Sequence, residues 1–176
     1  MKKILELIAS YNGIYESEKL IKKRFIEFVQ KYEDCFERHL LVGHITASAF
    51  IFDKKNNKIL LLHHKKLNKW LQPGGHCDGD KDTLSVAIKE VFEETGLVIK
   101  NQAQPIFDLD IHMIPENKGI PEHEHFDVRY LLLADSKIPL IQNHETNQLK
   151  WVDLSEMENY TSEESLRRMK NKLTLV

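Results

Sequence analysis

The segment between Gly74 and Leu97 constrains the fold of this chain more than any other part of its 176 residues. It opens with a glycine pair and then enters residues 83–94, where apolar side chains recur at helical spacing. Asp82 or Thr83 is a candidate N-cap for that helix. Gly96 follows it, and glycine readily adopts the left-handed conformation that ends helices. We therefore predict a tight loop, a helix and a glycine stop, in that order.

Three carboxylates lie on one face of this predicted helix, because Glu90, Glu93 and Glu94 are spaced i, i+3 and i+4. Like charges at this spacing repel, and anions in the last turn oppose the helix dipole. A hard cation such as Mg²⁺ or Mn²⁺ would relieve both effects, since these ions prefer oxygen ligands and bridge phosphates. The alternative interpretation of the three glutamates is an ordinary amphipathic helix with a solvated acidic face. The preceding glycine pair and the Gly96 stop favour the metal site.

These residues resemble the signature of the Nudix hydrolase family. That signature runs Gly, five residues, Glu, seven residues, Arg-Glu, aliphatic, any, Glu-Glu, any, Gly, aliphatic. Lys89 stands in place of the arginine, and Lys81 stands in place of the first glutamate, which in the family helps to brace the loop. Further likeness extends the resemblance over residues 40–155. The matching signature positions are Gly75, Glu90, Val91, Glu93, Glu94, Gly96 and Leu97.

The rest of the chain predicts strands and helices around that segment. Mixed strands around one long helix favour an α/β/α sandwich with a mixed sheet, and the resemblance implies the same layering. We expect an N-terminal helical extension over residues 1–38 and a Nudix hydrolase domain over 39–176. Periodicity predicts a second helix from near Ser17, strands at 44–52, 58–64, 98–101, 106–113, 125–134 and 150–154, and helical segments from 155 and 162.

The resemblance implies a Mg²⁺- or Mn²⁺-dependent hydrolase of a diphosphate linkage in a nucleoside diphosphate joined to another moiety, such as a nucleotide, a nucleotide sugar or ADP-ribose. Its metal ligands would be Glu90, Glu93 and Glu94, with a backbone carbonyl of the glycine pair, Gly74 or Gly75. A signature glutamate or Glu145, in the polar loop before the closing strand, would act as the catalytic base. Lys89 is placed with the substrate-binding residues and would orient a neighbouring carboxylate.

A second polar pattern occupies residues 123–130. Alternation places one set of polar side chains on a single strand face, and we predict that they bind substrate. The segment 108–112 alternates in the same way, so a hairpin would bring His112 close and form an imidazole–carboxylate site for zinc or for a substrate phosphate. A solvated face with cross-strand charge pairs is the alternative. The predicted substrate-binding residues are His123, His125, Asp127 and Arg129.

Two alternative functions stay open. Lys81 at the position of the first glutamate keeps a non-catalytic, nucleotide-sensing Nudix module in consideration. Isopentenyl-diphosphate isomerase activity also occurs on this fold, but it needs a dedicated cysteine and glutamate, and only Cys77 is near the site. Turnover of a diphosphate separates hydrolysis from sensing.

Net charge limits the partners that we expect, and cysteine content limits the expected cellular location. With 25 Lys+Arg and 27 Asp+Glu, the formal net charge is −2, which favours a small-molecule partner over nucleic acid or a membrane. Two cysteines give no disulfide framework, so we expect a cytoplasmic protein. The basic residues 167–172 are interpreted as a solvated helix end. The apolar stripe of the second helix predicts either packing or a homodimer surface.

Overall fold

The structure, a computed structural model, describes residues 1–100, 103–117 and 119–174. The helices are α1 (Lys2–Ser10), α2 (Glu16–Lys31), α3 (Thr83–Thr95) and α4 (Glu164–Leu173), with a 3₁₀ helix at Leu154–Asn159. The strands are β1 (Gly43–Asp53), β2 (Lys58–His64), β3 (Lys69–Leu71), β4 (Gly74–His76), β5 (Asp108–Ile114), β6 (His123–Leu133) and β7 (Thr146–Asp153).

The strands form one mixed seven-stranded sheet in the order β3-β2-β1-β6-β5. Strand β4 also pairs with β1, and β7 pairs with β2. The long β1 and β6 strands run parallel from the pair Gly43–Glu124 to the pair Phe52–Leu133, whereas the other pairs are antiparallel. This pairing joins segments about 80 residues apart at the centre of the sheet.

Two clusters of buried apolar side chains lie on opposite faces of the sheet. Ile45, Ala47 and Ala49 of β1 belong to the first cluster, together with α3, whereas Phe50 belongs to the second, together with α4. Successive strand residues point to opposite faces, so the clusters lie above and below the sheet. The α/β/α layering predicted from the sequence is confirmed.

The N-terminal helices pack into the first cluster. Ile4, Ile8 and Phe25 are buried there, and the ring of Phe28 stacks on Phe126 with centroids 3.9 Å apart. Full burial of such a side chain contributes roughly 1.5–3 kcal/mol. The apolar stripe of α2 therefore packs within the chain. The homodimer and the domain division after residue 38 stay predictions.

Several boundaries differ from the sequence expectation. Residues 98–100 form no strand, with Val98 exposed, and residue 101 lies outside the described residues. The glycine pair, predicted as loop, belongs to strand β4 opposite Ala47 and Ser48. A Cβ at Gly74 would lie 2.3 Å from the Cβ of Ser48, so glycine is required for this approach. A three-residue strand is too short for an alternation pattern to reveal it.

Not one of the described helices has both the length and the apolar character that spanning a bilayer requires.

Candidate functional site

Helix α3 has the ends that the sequence predicts. The side chain of Asp82 accepts a hydrogen bond of 3.2 Å from the backbone N–H of Ser85, as an N-cap does. Gly96 adopts a left-handed conformation with φ of 74°, and its N–H donates to the carbonyl of Phe92 at 2.9 Å. These two caps fix the length of α3, and therefore fix which acids lie in its last two turns.

The acids of α3 face the glycine pair. The backbone N–H of Gly74 donates a hydrogen bond of 2.9 Å to Oε2 of Glu94, whose side chain is buried. The carboxylate of Glu90 lies against Gly75, where an added Cβ would meet its oxygens at 2.7 and 2.8 Å. Gly75 is therefore needed for Glu90 to pack here, and Gly74 supplies the backbone N–H that Glu94 accepts.

Burial and mutual repulsion disfavour the charged forms of these acids. Burial raises the pKa of Glu94 to about 8, with further contributions from the charges of Glu90, Glu145 and Glu93, while the Gly74 N–H opposes the shift. Burial also raises the pKa of Glu90, and the charge of Glu93 adds to it. Carboxylate oxygens that repel one another in this way are suitable ligands for a hard divalent cation. Glu90, Glu93 and Glu94, with the backbone at Gly75, would hold it.

Glu93 and Glu145 are the more accessible acids. Glu93 is half-exposed, and Nζ of Lys89 lies 3.5 Å from its Oε1, so Lys89 pairs with the carboxylate one turn along the helix. Glu145 is exposed in the loop before β7, where its carbonyl accepts from the N–H of Lys65 at 3.0 Å. Its charge contributes to the raised pKa of both Glu90 and Glu94. Its role as a base stays a prediction.

The loop before α3 is braced by the N-terminal extension. Arg38 makes a two-point ion pair with Asp78, with Nε 2.5 Å from Oδ1, and Lys3 pairs with Asp82 at 2.9 Å. Lys81 is exposed, and among the described residues no carboxylate lies within ion-pair distance of it. Arg38 thus holds the loop that the family's first glutamate braces. Sequence reasoning missed this residue because it lies outside the signature.

We predict that removal of Arg38 loosens this loop without unfolding the protein. Arg38→Ala should lower the free energy of unfolding by no more than about 1 kcal/mol, because the pair is exposed, yet raise the Mg²⁺ concentration required for half-maximal thermal stabilisation. Lys81→Glu is the matched control and should leave both quantities almost unchanged. If Lys81→Glu raised the required Mg²⁺ concentration more than Arg38→Ala did, the assignment of the brace to Arg38 would be wrong.

Histidines form a row across three neighbouring strands. His44 of β1 is opposite His125 of β6, which in turn is opposite His112 of β5. The Nε2 atoms of His44 and His125 are 3.1 Å apart, and His123 and His76 border them. Burial lowers the pKa of His44 to about 4 and that of His125 to about 2, so both rings are neutral at pH 7. The predicted approach of His112 to His125 is present, with ring centroids 5.5 Å apart.

Asp127 and Arg129 lie on the same face but are covered by protein. Arg129 is 3% exposed, and its guanidinium donates to Asp127 at 2.7 Å and to Asp110 at 3.0 Å. The hydroxyls of Thr46 and Ser48 donate to the two oxygens of Asp127 at 3.0 and 2.7 Å. Direct contact of Asp127 or Arg129 with a substrate would require displacement of these partners.

The basic end of the chain completes this buried network, so its interpretation as a solvated helix end is wrong for two residues. Arg168 donates to both oxygens of Asp108, at 2.9 and 2.7 Å. Lys172 is 3% exposed and contacts Asp108 at 2.5 Å, Tyr11 at 2.7 Å and Glu18. Both cations of α4 thus pair with buried carboxylates that are remote from them in sequence.

The raised pKa of Glu94 predicts a stability that falls with rising pH when chelator removes metal. The unfolded acid titrates near its ordinary value of 4.5, whereas the folded acid keeps its proton to about 8. The folded state thus binds more protons in that window, and its stabilising contribution is lost as pH rises through 8. Above the ordinary histidine pKa of 6.5, the lowered pKa values of His44 and His125 add no opposing slope.

The measurement is urea denaturation in chelator between about pH 6.5 and pH 8, where the unfolded acid is ionised and the folded acid keeps its proton. The free energy of unfolding should fall by up to about 1.4 kcal/mol per pH unit. Glu94→Gln should flatten the curve, whereas Glu27→Gln, on the exposed side of α2, should keep it. An equally steep curve in Glu94→Gln would assign the slope to another group.

The fold and the acid-bearing loop and helix define a Nudix-type α/β domain. The chain belongs to the NUDIX domain family, because the family model matches residues 42–173. This match covers all strands of the sheet, α3 and α4, whose last residue is Leu173.

Individual relatives agree with the family. The chain is similar to a probable DHNTP pyrophosphohydrolase of Lactococcus lactis subsp. cremoris, with 36% identity over 90 residues that cover 50% of this chain and 52% of that protein. It thus spans about half the length of this curated relative. A solved NUDIX-family hydrolase from Clostridium perfringens superposes with TM-score 0.55 and 26% identity, covering 75% of this chain and 97% of the other. A C. elegans Ap4A hydrolase binary complex, at 19% identity, shows the same fold with TM-score 0.58, over 74% of this chain and 95% of that one.

Proposed function

We propose that this protein is a divalent-metal-dependent hydrolase that cleaves a diphosphate linkage in a nucleoside diphosphate joined to another moiety. The observation that carries the proposal is the packing of Glu90 and Glu94 against the glycine pair, with pKa values raised by burial and by neighbouring carboxylates. Burying acids this way is unfavourable unless a cation compensates, so the arrangement serves metal binding better than stability.

Bound Mg²⁺ or Mn²⁺ would neutralise phosphate charge and lower the pKa of a water molecule. The protein supplies the positioning. The Gly74 N–H fixes the orientation of the Glu94 carboxylate, and Lys89 holds Glu93 at the mouth of the site. Glu145, exposed yet electrostatically coupled to Glu90 and Glu94, is suited to take a proton from water.

The substrate would extend from these acids towards the neighbouring histidines. His76 directly follows the glycine pair, and its ring lies 5.0 Å from those of both His44 and His125. Because His44 and His125 lie on the sheet face opposite α3, contact of His123 and His125 with the substrate would require it to extend past the end of β4. The relatives support diphosphate chemistry by name, since the Lactococcus protein is a probable DHNTP pyrophosphohydrolase.

A substrate panel tests the proposal. Nucleoside triphosphates, nucleotide sugars, ADP-ribose, Ap4A and dihydroneopterin triphosphate should be incubated with and without Mg²⁺, with product release and binding measured in parallel. We expect Mg²⁺-dependent turnover of at least one compound. Binding without turnover would instead support the sensing module that Lys81 keeps open. Neither binding nor turnover would reject both functions for this panel.

A further inference from the structure

We propose that His44, His123 and His125 form a second metal site, which binds one borderline transition ion of the Zn²⁺ class and is distinct from the carboxylate site on α3. These three histidines each offer a ring nitrogen, and the three nitrogens all lie within 4.8 Å of one another. The site goes beyond the proposed function, which uses a hard ion on oxygen ligands.

The spacing of the rings fits coordination. In a tetrahedral zinc site with Zn–N bonds of about 2.0–2.1 Å, two ligand nitrogens are separated by roughly 3.3 Å. The Nε2 atoms of His44 and His125 are 3.1 Å apart. The ring of His123 lies 5.0 Å from that of His44 and 5.3 Å from that of His125. For all three to bind one ion, the His123 nitrogen, which lies within 4.8 Å of the other two, would have to move closer to them.

A hydrogen bond from outside the cluster orients one of the ligands. Nδ1 of His123 lies 2.8 Å from the carbonyl of Pro121, to which only a protonated Nδ1 can donate. That tautomer leaves the lone pair on Nε2, the atom free for a metal. His44 and His125 are fixed by the parallel pairing of β1 and β6, where they are directly opposite. The site is thus largely formed by the sheet before any ion arrives.

The donor set selects the kind of ion. Three neutral imidazoles suit zinc, cobalt, nickel or copper, whereas Mg²⁺ prefers oxygen ligands. Three protein ligands also leave one position of a tetrahedron open, as in catalytic zinc sites. His76 borders the cluster but is outside the group of three. Water or an oxyanion would occupy the open position.

The test uses Co²⁺ as a spectroscopic probe and Zn²⁺ in calorimetry, with the full chain in excess Mg²⁺ so that the carboxylate site is occupied. We expect one Co²⁺ per chain with the intense visible bands of tetrahedral coordination, and displacement of Co²⁺ by Zn²⁺. His123→Ala and His125→Ala should each weaken binding by more than about 10-fold. His144→Ala, whose side chain is 91% exposed, is the matched control and should bind as the wild type does.

Several outcomes would overturn the proposal. The absence of a one-to-one Co²⁺ complex in the wild type would do so whatever the variants show, and so would binding that survives both histidine changes. Loss of the Co²⁺ bands in Glu94→Gln, with retention in His123→Ala, would place the ion on α3 instead. Circular dichroism of each variant separates loss of the site from loss of the fold. Because the readout is metal binding, an inactive protein that binds Co²⁺ would refute only the proposed function.

Discussion

Glu94→Gln should lower turnover by about 100-fold or more while the protein stays folded, as expected when a ligand of the metal that stabilises transition-state charge is removed. The glutamine oxygen can still accept from the Gly74 N–H, so the loop contact survives. Removal of a buried carboxylate with raised pKa should also stabilise the metal-free protein near neutral pH. Steady-state rates at saturating Mg²⁺, together with melting temperatures in chelator, measure both effects.

Glu93→Gln should cause a comparable loss, although Glu93 is half-exposed and bonded mainly to Lys89. Glu145→Gln distinguishes a base from a ligand, since loss of a base lowers kcat and leaves the Mg²⁺ affinity intact. Glu27→Gln on α2 serves as the neutral control. If both Glu93→Gln and Glu94→Gln retained near wild-type rates at saturating Mg²⁺, these acids would have no part in the mechanism.

Arg129→Met should lower the free energy of unfolding by about 3–5 kcal/mol, the range for removal of one partner from a buried ion pair. The change leaves Asp127 and Asp110 without the guanidinium that holds the pKa of Asp110 well below its usual range. Urea denaturation measures the loss. It should shrink at acidic pH, where the unpaired carboxylates take up protons.

Arg167→Met is the matched control, because it makes the same substitution at an arginine that pairs only with surface acids, at 3.4 and 3.8 Å. It should cost no more than about 1 kcal/mol. An equally small loss for Arg129→Met would mean that water reaches the network. That result would return Arg129 to the substrate-binding role predicted from strand alternation.

The local features of the site could be predicted from the sequence because each rests on nearby residues. The caps at Asp82 and Gly96 and the shared face of the three acids depend on helical spacing alone. Alternation also placed His125, Asp127 and Arg129 on one face correctly. It could not show that Asp127 and Arg129 are covered, since burial depends on what packs above the strand.

The long-range features could not be predicted in the same way. His44 joins the histidine row only through the parallel pairing of β1 with β6, which no local pattern specifies. Arg38 reaches Asp78 from outside the signature. The basic residues near the C-terminus fit the dipole of their own helix, and only the fold brings Arg168 and Lys172 to Asp108.

Hydrolysis in ¹⁸O-labelled water tests the central claim most directly. The wild-type protein, stripped of metal and then supplied with Mg²⁺, should release a phosphate-containing product that carries oxygen from the solvent, and chelation should stop this incorporation. The account predicts labelled product from at least one diphosphate of the panel. Incorporation at the same rate without divalent metal would contradict it, and so would the absence of labelled product from every compound that the protein binds.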